Sequence, residues 1–446
     1  MPPMAYFRHP NRHYPVANVP QHGHCLNMTG SSPSQQWPTP EHSLASTVRS
    51  AHGEHSDEEQ VSLTRPPPRS PINQHGSGFP FQNRKEARYL MYYIKDFSSW
   101  IDICDPARHF AREVPRRACD DPLLAFSLLA FTSRFFCLRS RIDDPSSDIY
   151  YSKAIQLLIP ALDDPIASID ENILAAIVLL RLNEEMSEND TCTHLLGSTR
   201  LLDLASSFAP LGGLGEAASW LLLRQDMFVS LTRSLCPTST YENYRTSAFF
   251  TSSTPEAMAN RAVFLCSQVL AYAFRNDTRL DVDRWQELNT SVAEWFDSAP
   301  KESLPYFASL PSDDPQTEGS CFPICWMTRP QYVLAYQHYY LARLLLSAFD
   351  PQLWKPGPDA LRKRPEADDN IRNFMGLIVG LSISHPDMMT GRFIAHHTLH
   401  AFGSWIQDGR QRNEVLEFLQ TLRDLSGWQT APLITRLSRQ WAEAMP

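Results

Sequence analysis

From Glu86 to the C-terminus, apolar residues recur at the spacing of an α-helix, and no sustained period-two alternation of β-branched residues interrupts them. That single regularity excludes a sheet-based architecture, because a strand presents every second side chain to one face, whereas a helix presents every third or fourth. Leu90, Ile94, Phe97 and Ile101 fall on one helical stripe, and Leu124, Leu128, Phe131, Phe135 and Leu138 on the next. Tyr151, Ile155 and Leu158 continue the pattern, followed by Ile173, Leu174, Ile177 and Val178, then by Leu195 and Leu202. The expected fold is therefore all-α, an extended array of antiparallel helix pairs over residues 85–446.

The helix boundaries are written in local chemistry. Asp121 can cap a helix whose first position is Pro122, where the missing N–H costs nothing, and Thr254-Pro255 repeats the arrangement. Gly212-Gly213-Leu214-Gly215 precedes a long segment carrying Trp220, Arg224, Phe228, Leu231 and Leu235. The glycines lack the preceding strand and the following Lys-Ser/Thr of a phosphate cradle, so they read as a helix–helix turn. Further helical runs are expected at Trp285–Trp295, Tyr332–Phe349, Ile371–Leu381, Phe393–Ile406, Val415–Leu425 and Ile434–Trp441. Ser303–Phe322 and Trp354–Asp369 read as long loops from their Pro, Ser and Asp content.

Residues 1–84 form a different class of sequence. They are rich in Pro, His, Ser, Gln and Asn, with runs such as Arg65-Pro-Pro-Pro-Arg69, and bury too little apolar surface to offset the entropy of ordering. A disordered tail is expected there. His22, His24 and Cys25 stand close together in it, but without a second ligand pair they read as solvated coil.

Composition narrows the possible functions. The formal net charge is -9, which opposes binding of a polyanion, since phosphate contact needs clustered Lys and Arg. No run reaches the roughly 18 uninterrupted apolar residues that span a bilayer, and Met1–Pro10 lacks the apolar core of a secretory signal. The nine cysteines are scattered, several among helical apolar residues, and are read as reduced thiols.

Several constellations are incomplete as active sites. His396 and His400 are one turn apart, the spacing at which two imidazoles meet one metal, but His397 occupies the place where a metalloprotease helix carries Glu. Cys321 and Cys325 with His338 are loosely spaced and lack a fourth ligand. Asp143, Asp144 and Asp148 loosely imitate the first magnesium motif of a terpene cyclase, and Asn189-Asp190 with Thr193 the second, whose closing carboxylate would fall at Gly197. Most such acidic pairs precede Pro, where they serve as turn and cap residues. Arg362-Lys363-Arg364 is a short basic cluster expected in a loop. No catalytic, cofactor-binding or metal-ligating residue is assigned, and no cofactor is expected.

Between Glu86 and Pro237 a series of phrases carries a resemblance. Trp100-Ile-Asp-Ile-Cys104 is followed by His109-Phe110 and Val114-Pro115, then by Asp121-Pro-Leu-Leu124, Tyr150-Tyr151-Ser-Lys-Ala-Ile155 and Leu158-Ile-Pro160. Ile173-Leu-Ala-Ala176, Glu184-Glu185, His194-Leu-Leu-Gly197, Leu201-Leu202, Ala217–Trp220 and Arg224-Gln225-Asp226 complete the order. In order and spacing this resembles the fungal-specific transcription factor domain, the helical region that follows the zinc cluster in many fungal regulators.

The resemblance implies a regulatory and dimerisation scaffold in the nucleus, without catalysis. It departs from the family pattern in one respect: a binuclear zinc cluster needs two closely spaced runs of thiolates, and before Cys104 only Cys25 is present. The expectation is a regulator, of a metabolic gene cluster, that works through protein partners, either a DNA-binding transcription factor or a second copy of itself, without sequence-specific DNA contact or membrane attachment of its own. The alternatives are a helical scaffold unrelated to transcription and, last, a cyclase-like enzyme. Because Arg224 lies on an apolar stripe and the family order sets the Glu184-Glu185 helix end nearby, Arg224 is expected to bond to one of these glutamates or to the carbonyls beside them; the alternative for Arg224-Gln225-Asp226 is a patch that senses a ligand or partner.

Overall fold

In the computed structural model, the described residues are residue 81 and residues 83–163, 170–187, 199–239, 241–275, 281–311, 319–354 and 357–443. All but three residues of the 1–84 segment, with His22, His24 and Cys25 among them, lie outside these.

Asn83 opens the first helix, α1 (Arg84–Tyr92), by accepting the Glu86 amide. A π-helical turn (Tyr93–Phe97) carries it into the short α2 (Ser98–Ile101). The buried stripe is Tyr89, Tyr93, Phe97 and Ile101, with Leu90 and Ile94 at its half-buried edge. The helices α3 (His109–Arg117), α4 (Pro122–Ser140), α5 (Ser146–Asp163), α6 (Glu171–Glu185) and α7 (Thr199–Ser207) follow. The expected caps are in place, Asp121 accepting the Leu124 amide and Thr254 the Ala257 amide, and Asp170 caps in the same way on the Ile173 amide. α4 is long and apolar enough to cross a membrane by length and composition. Most of its residues are buried against α1, α5, α6 and the later helix α14 (Gly409–Ser426), as befits a central core helix.

α8 (Gly213–Arg233) starts at Gly212 and Gly213, both at positive φ, which admits no β-carbon without strain. It ends where Ser234 turns left-handed, so Leu235 lies beyond the helix and is exposed, not on the buried stripe expected for it. α8 is apolar on nearly all sides because it is the wall shared by two cores. Leu214, Ala218, Leu221, Leu222 and Val229 pack with α1–α6, while Trp220, Leu223, Met227 and Leu231 pack with the helices that follow.

These are α9 (Pro255–Ala273), α10 (Val282–Asp297), α11 (Pro330–Ala348), α12 (Pro358–Ser384), α13 (Met389–Phe402), α14 and α15 (Ala431–Glu443). The most extensive packing in the second core is of α9 on α11, followed by α11 on α12 and then α12 on α13. The all-α class expected from periodicity is the one adopted, and the strands found, β1 (Phe307–Ser309) and β2 (Ile324–Trp326), pair antiparallel with Ala308 opposite Cys325.

Two boundaries differ from the sequence reading. β1 forms inside the region expected as a loop at Ser303–Phe322, stabilised by its partner strand. Trp354–Asp369 is not a loop throughout, because α12 begins at Pro358 and runs through Pro365. Pro358 occupies the first turn, where it is tolerated, and the remaining residues are mostly good helix formers. Asp359–Arg362 and Asp369–Arg372 pairs one turn apart brace it, and Ala367 and Ile371 anchor it in the core.

Pro323, just before β2, presses its carbonyl onto α12 at Gly380, where a β-carbon would stand 2.1 Å from the oxygen. β2 is tied down beyond that point by Cys325 N–H to the Ser384 hydroxyl and Met327 N–H to His385 Nε2. Gly380→Ala should therefore separate strand and helix and lower stability by about 2 kcal/mol, an overpacking cost. Urea denaturation matching that of the parent would show that the contact relaxes freely.

Candidate functional site

The face of α8 that carries Glu216, Trp220 and Arg224, each one turn from the next, meets the segment Ile101–Phe110 and the start of α9. That segment is held rigidly by two carboxylates. Asp102 accepts the amides of Phe110 and Ala111 at 2.9 and 2.7 Å, and Asp105 accepts those of Ala107 and His109 as well as His109 Nδ1 at 2.9 Å. Both bind donors that the first turn of α3 leaves unsatisfied. Arg108, immediately before α3, adopts a left-handed conformation at φ 59°. The three elements enclose a cavity of about 190 Å3, lined also by Cys104, Phe249 and Asn260.

Arg224 is 4% exposed, and its Nη2 donates to the Ile101 carbonyl at 3.4 Å, while Nη1 has no hydrogen-bond partner. The guanidinium stands beside the Cys104 thiol, which burial nevertheless holds up at about 11, a neutral group at physiological pH. Asn260 is 1% exposed and neither of its amide atoms is bonded. Burial raises Asp102 to about 7 against the opposing pull of its two amide bonds. Burial also raises Glu216, in spite of a 2.8 Å hydrogen bond from the Ser247 hydroxyl.

The expected bond between Arg224 and Glu184 or Glu185 is not made. Those carboxylates flank a different arginine, Arg181, each 3.4 Å away and three or four residues along the same helix. Glu184 in addition accepts the Tyr151 hydroxyl at 2.9 Å. The reason is angular: successive residues on a helix point about 100° apart, so Arg224, Gln225 and Asp226 diverge. Gln225 donates to the Val178 carbonyl of α6, Asp226 collects the amides of Thr238 and Ser239 and the Ser239 hydroxyl, and Arg224 is left facing the cavity.

The other sequence candidates are placed as follows. His396, His397 and His400 line a second cavity of about 340 Å3 with Arg181, Glu185 and Arg436. His397 stacks on Phe228 with ring centres 4.4 Å apart, and the His400 carbonyl accepts Arg436 at 2.5 Å. Burial and neighbouring cations depress all three imidazoles, His397 to about 3 and His400 to about 4. Cys325 is buried in β2, Cys321 donates its amide to Glu414, and His338 is fully buried with Nδ1 on the Leu334 carbonyl. Among the described residues, no three His, Cys, Asp or Glu side chains are grouped to hold a metal.

Asp144 pairs with Lys85 at 2.7 Å, which with Ser146 holds it down at about 2, and Asp148 pairs with Arg134. Asn189, Asp190, Thr193 and Gly197 lie outside the described residues. Arg362-Lys363-Arg364 is on helix α12, not in a loop, with Arg362 paired to Asp359 and Lys363 to Gln352. Cys104, Cys119, Cys137, Cys236, Cys266, Cys321 and Cys325 are free thiols. Asn260, Glu216, Asp105 and Phe249 are cavity residues that periodicity did not single out; the signal at Asn260 is an uncharged amide beside the apolar residues Ala257, Met258 and Ala259.

The described residues form a two-core helical fold with this cavity between buried helices. The chain belongs to the fungal-specific transcription factor domain family, whose model matches residues 88–318, more than half of the chain. The match includes the Ile101–Phe110 segment, α8 and Asn260. No curated protein and no solved structure matches the chain. The family is one of transcriptional regulators and not of enzymes, which implies a nuclear role.

Proposed function

We propose that this protein regulates transcription through its helical domain, by docking on a DNA-binding partner or on a second copy of itself, and contacts no specific DNA sequence through this chain. The family match over residues 88–318 carries the reading. It is supported by the net charge of -9 and by cysteines whose spacing does not suit a binuclear zinc cluster. The one run of three consecutive basic residues, Arg362–Arg364, has two of its side chains engaged within the chain. A cavity of metabolite size beside α8 favours metabolic genes as the target.

Purified protein should shift duplex DNA only weakly and without sequence preference at physiological salt, while the same chain tethered to a foreign DNA-binding domain should change reporter transcription in a fungal host. Selection of one short sequence by this chain alone would overturn the first half. A tethered chain with no effect on the reporter would point instead to a helical scaffold outside transcription.

A further inference from the structure

The outer face of the first helix is a ridge of one charge sign on a chain whose net charge is -9. Arg84, Arg88, Met91 and Lys95 succeed one another three or four residues apart along α1 and the π-helical turn that continues it, the spacing that sets side chains on one face. All four are exposed, Met91 at 48%, while Tyr89, Tyr93 and Phe97 on the opposite side are buried. The ridge runs roughly 16 Å along the axis. Lys85, to one side of it, is neutralised by Asp144 at 2.7 Å, and Asp96 turns away among Trp100 and Met389. Arg84, Arg88 and Lys95 make no ion pair with any described residue. Arg84 also stands in the first turn of α1, where the positive end of the helix disfavours a cation and favours a carboxylate. Beside the ridge lies the segment 142–150, tied to α1 by Lys85 on the Ser146 hydroxyl and by the Tyr150 hydroxyl on Glu86, and it exposes Ile142 at 48% and Ile149 at 50%. Cations at this spacing repel one another, so the ridge is complementary to carboxylates from outside the fold, with apolar ground on its flank.

We propose that this ridge docks an acidic amphipathic helix of a partner protein, its carboxylates on Arg84, Arg88 and Lys95 and its apolar side chains on Met91 and Ile149. The inference rests on the docking reading above and narrows it, at this surface, to a protein other than a second copy. A carboxylate meets a guanidinium through two parallel N–H···O bonds, and the flexible methionine adapts to the apolar anchor beside them. Duplex DNA fits poorly, because three phosphate contacts give little against the repulsion from a net charge of -9. Two whole copies repel in the same way, whereas a short acidic helix brings little charge beyond the carboxylates that the ridge meets.

The probe is a fluorescent helical peptide of Glu, Ala and Leu, with Glu at every turn of one face and Leu beside it, set against the same peptide with Lys for each Glu and against a random-sequence duplex DNA. Anisotropy with the full chain at about 50 mM salt should show the Glu peptide bound and the other two hardly at all, and about 500 mM salt should weaken that binding at least tenfold by screening. Arg84→Glu, Arg88→Glu and Lys95→Glu together should abolish binding of the Glu peptide and admit the Lys peptide. The melt of this triple variant should match the parent's, since all three positions are exposed. Met91→Ala should weaken the Glu peptide severalfold and leave its salt dependence unchanged. Binding of the Glu peptide that survives the charge reversal, equal binding of the Lys peptide by the parent, or no binding of the Glu peptide would overturn the assignment. Duplex DNA held through the ridge, or a dimer in sedimentation that the reversal dissociates, would overturn it too and give the ridge to that occupant. The tethered reporter is independent of these outcomes, so its silence would count against the transcriptional reading and not against the ridge.

Discussion

Acidification from about pH 6.5 to about 4 should unfold this protein, well above the range where surface carboxylates alone would act. Four imidazoles are held below their ordinary value of 6.5: His338 to about 4, His397 to about 3, His400 to about 4, and His396 well below. Burial is the leading cause for each. The groups facing them are cationic or histidine: Arg224 faces His338, Arg436 faces His396 and His400, and Arg181 faces His397. Glu185, in the same cavity, is already paired with Arg181.

Because the folded values are depressed, the unfolded chain takes up protons that the native state refuses. The stability these groups contribute is complete above about pH 6.5 and is lost as pH falls through the window down to about 4. Asp102, pushed up to about 7, and Asp226 and Glu216, also raised by burial, act in the opposite sense and gain stability as pH falls toward the ordinary carboxylate range. Four depressed imidazoles against three raised carboxyls leave a net loss of stability on acidification. Thermal melts followed by circular dichroism between pH 8 and pH 4 measure this directly, and a midpoint unchanged down to pH 5 would defeat the argument. His397→Phe, which keeps the ring on Phe228 and removes one titrating group, should move the acid transition to lower pH and leave the neutral melt nearly unchanged.

Arg181→Ala should destabilise the fold by about 3 to 5 kcal/mol, the cost of stripping a buried cation from its carboxylates. Arg181 is 2% exposed, and Glu184 and Glu185 beside it have side chains that are each 8% exposed. Arg181 and Glu185 line the second cavity at the end of α6, and Glu184 receives the Tyr151 hydroxyl from α5. Loss of the guanidinium therefore leaves two carboxylates crowded in a poorly solvated place. Replacing all three by neutral residues, Arg181→Met with Glu184→Gln and Glu185→Gln, should recover most of the loss, because it is the unmatched charge and not the absent pair that destabilises. Urea denaturation at pH 7.5 separates the cases, and equal midpoints for the parent and Arg181→Ala would show that the pair contributes nothing.

Much of this molecule was legible before its structure. Helix positions follow from apolar spacing, and the starts at Asp121-Pro122, Asp170 and Thr254-Pro255 from side chains that reach amides three residues ahead. These are interactions within a single turn, so a linear reading contains them. The Arg181–Glu184–Glu185 cluster was also within reach, since its members are three and four residues apart on one helix, the distance at which side chains on a helix meet.

Residues far apart in the chain are a different matter. That Arg362–Arg364 would lie on a helix was decided by Ala367 and Ile371 docking in a distant core, and β1 exists only because β2 arrives beside it. Local composition favoured a loop at both places. The cavity at Arg224 needs Ile101, Trp220 and Asn260 brought together from three elements, and nothing in a helical period specifies that meeting. By itself the sequence determined an all-α chain with capped helices, an acidic balance and the family order of its phrases. The tertiary structure alone decided which buried charges find partners, because pairing across helices depends on the angle at which each side chain leaves its axis once the helices have packed.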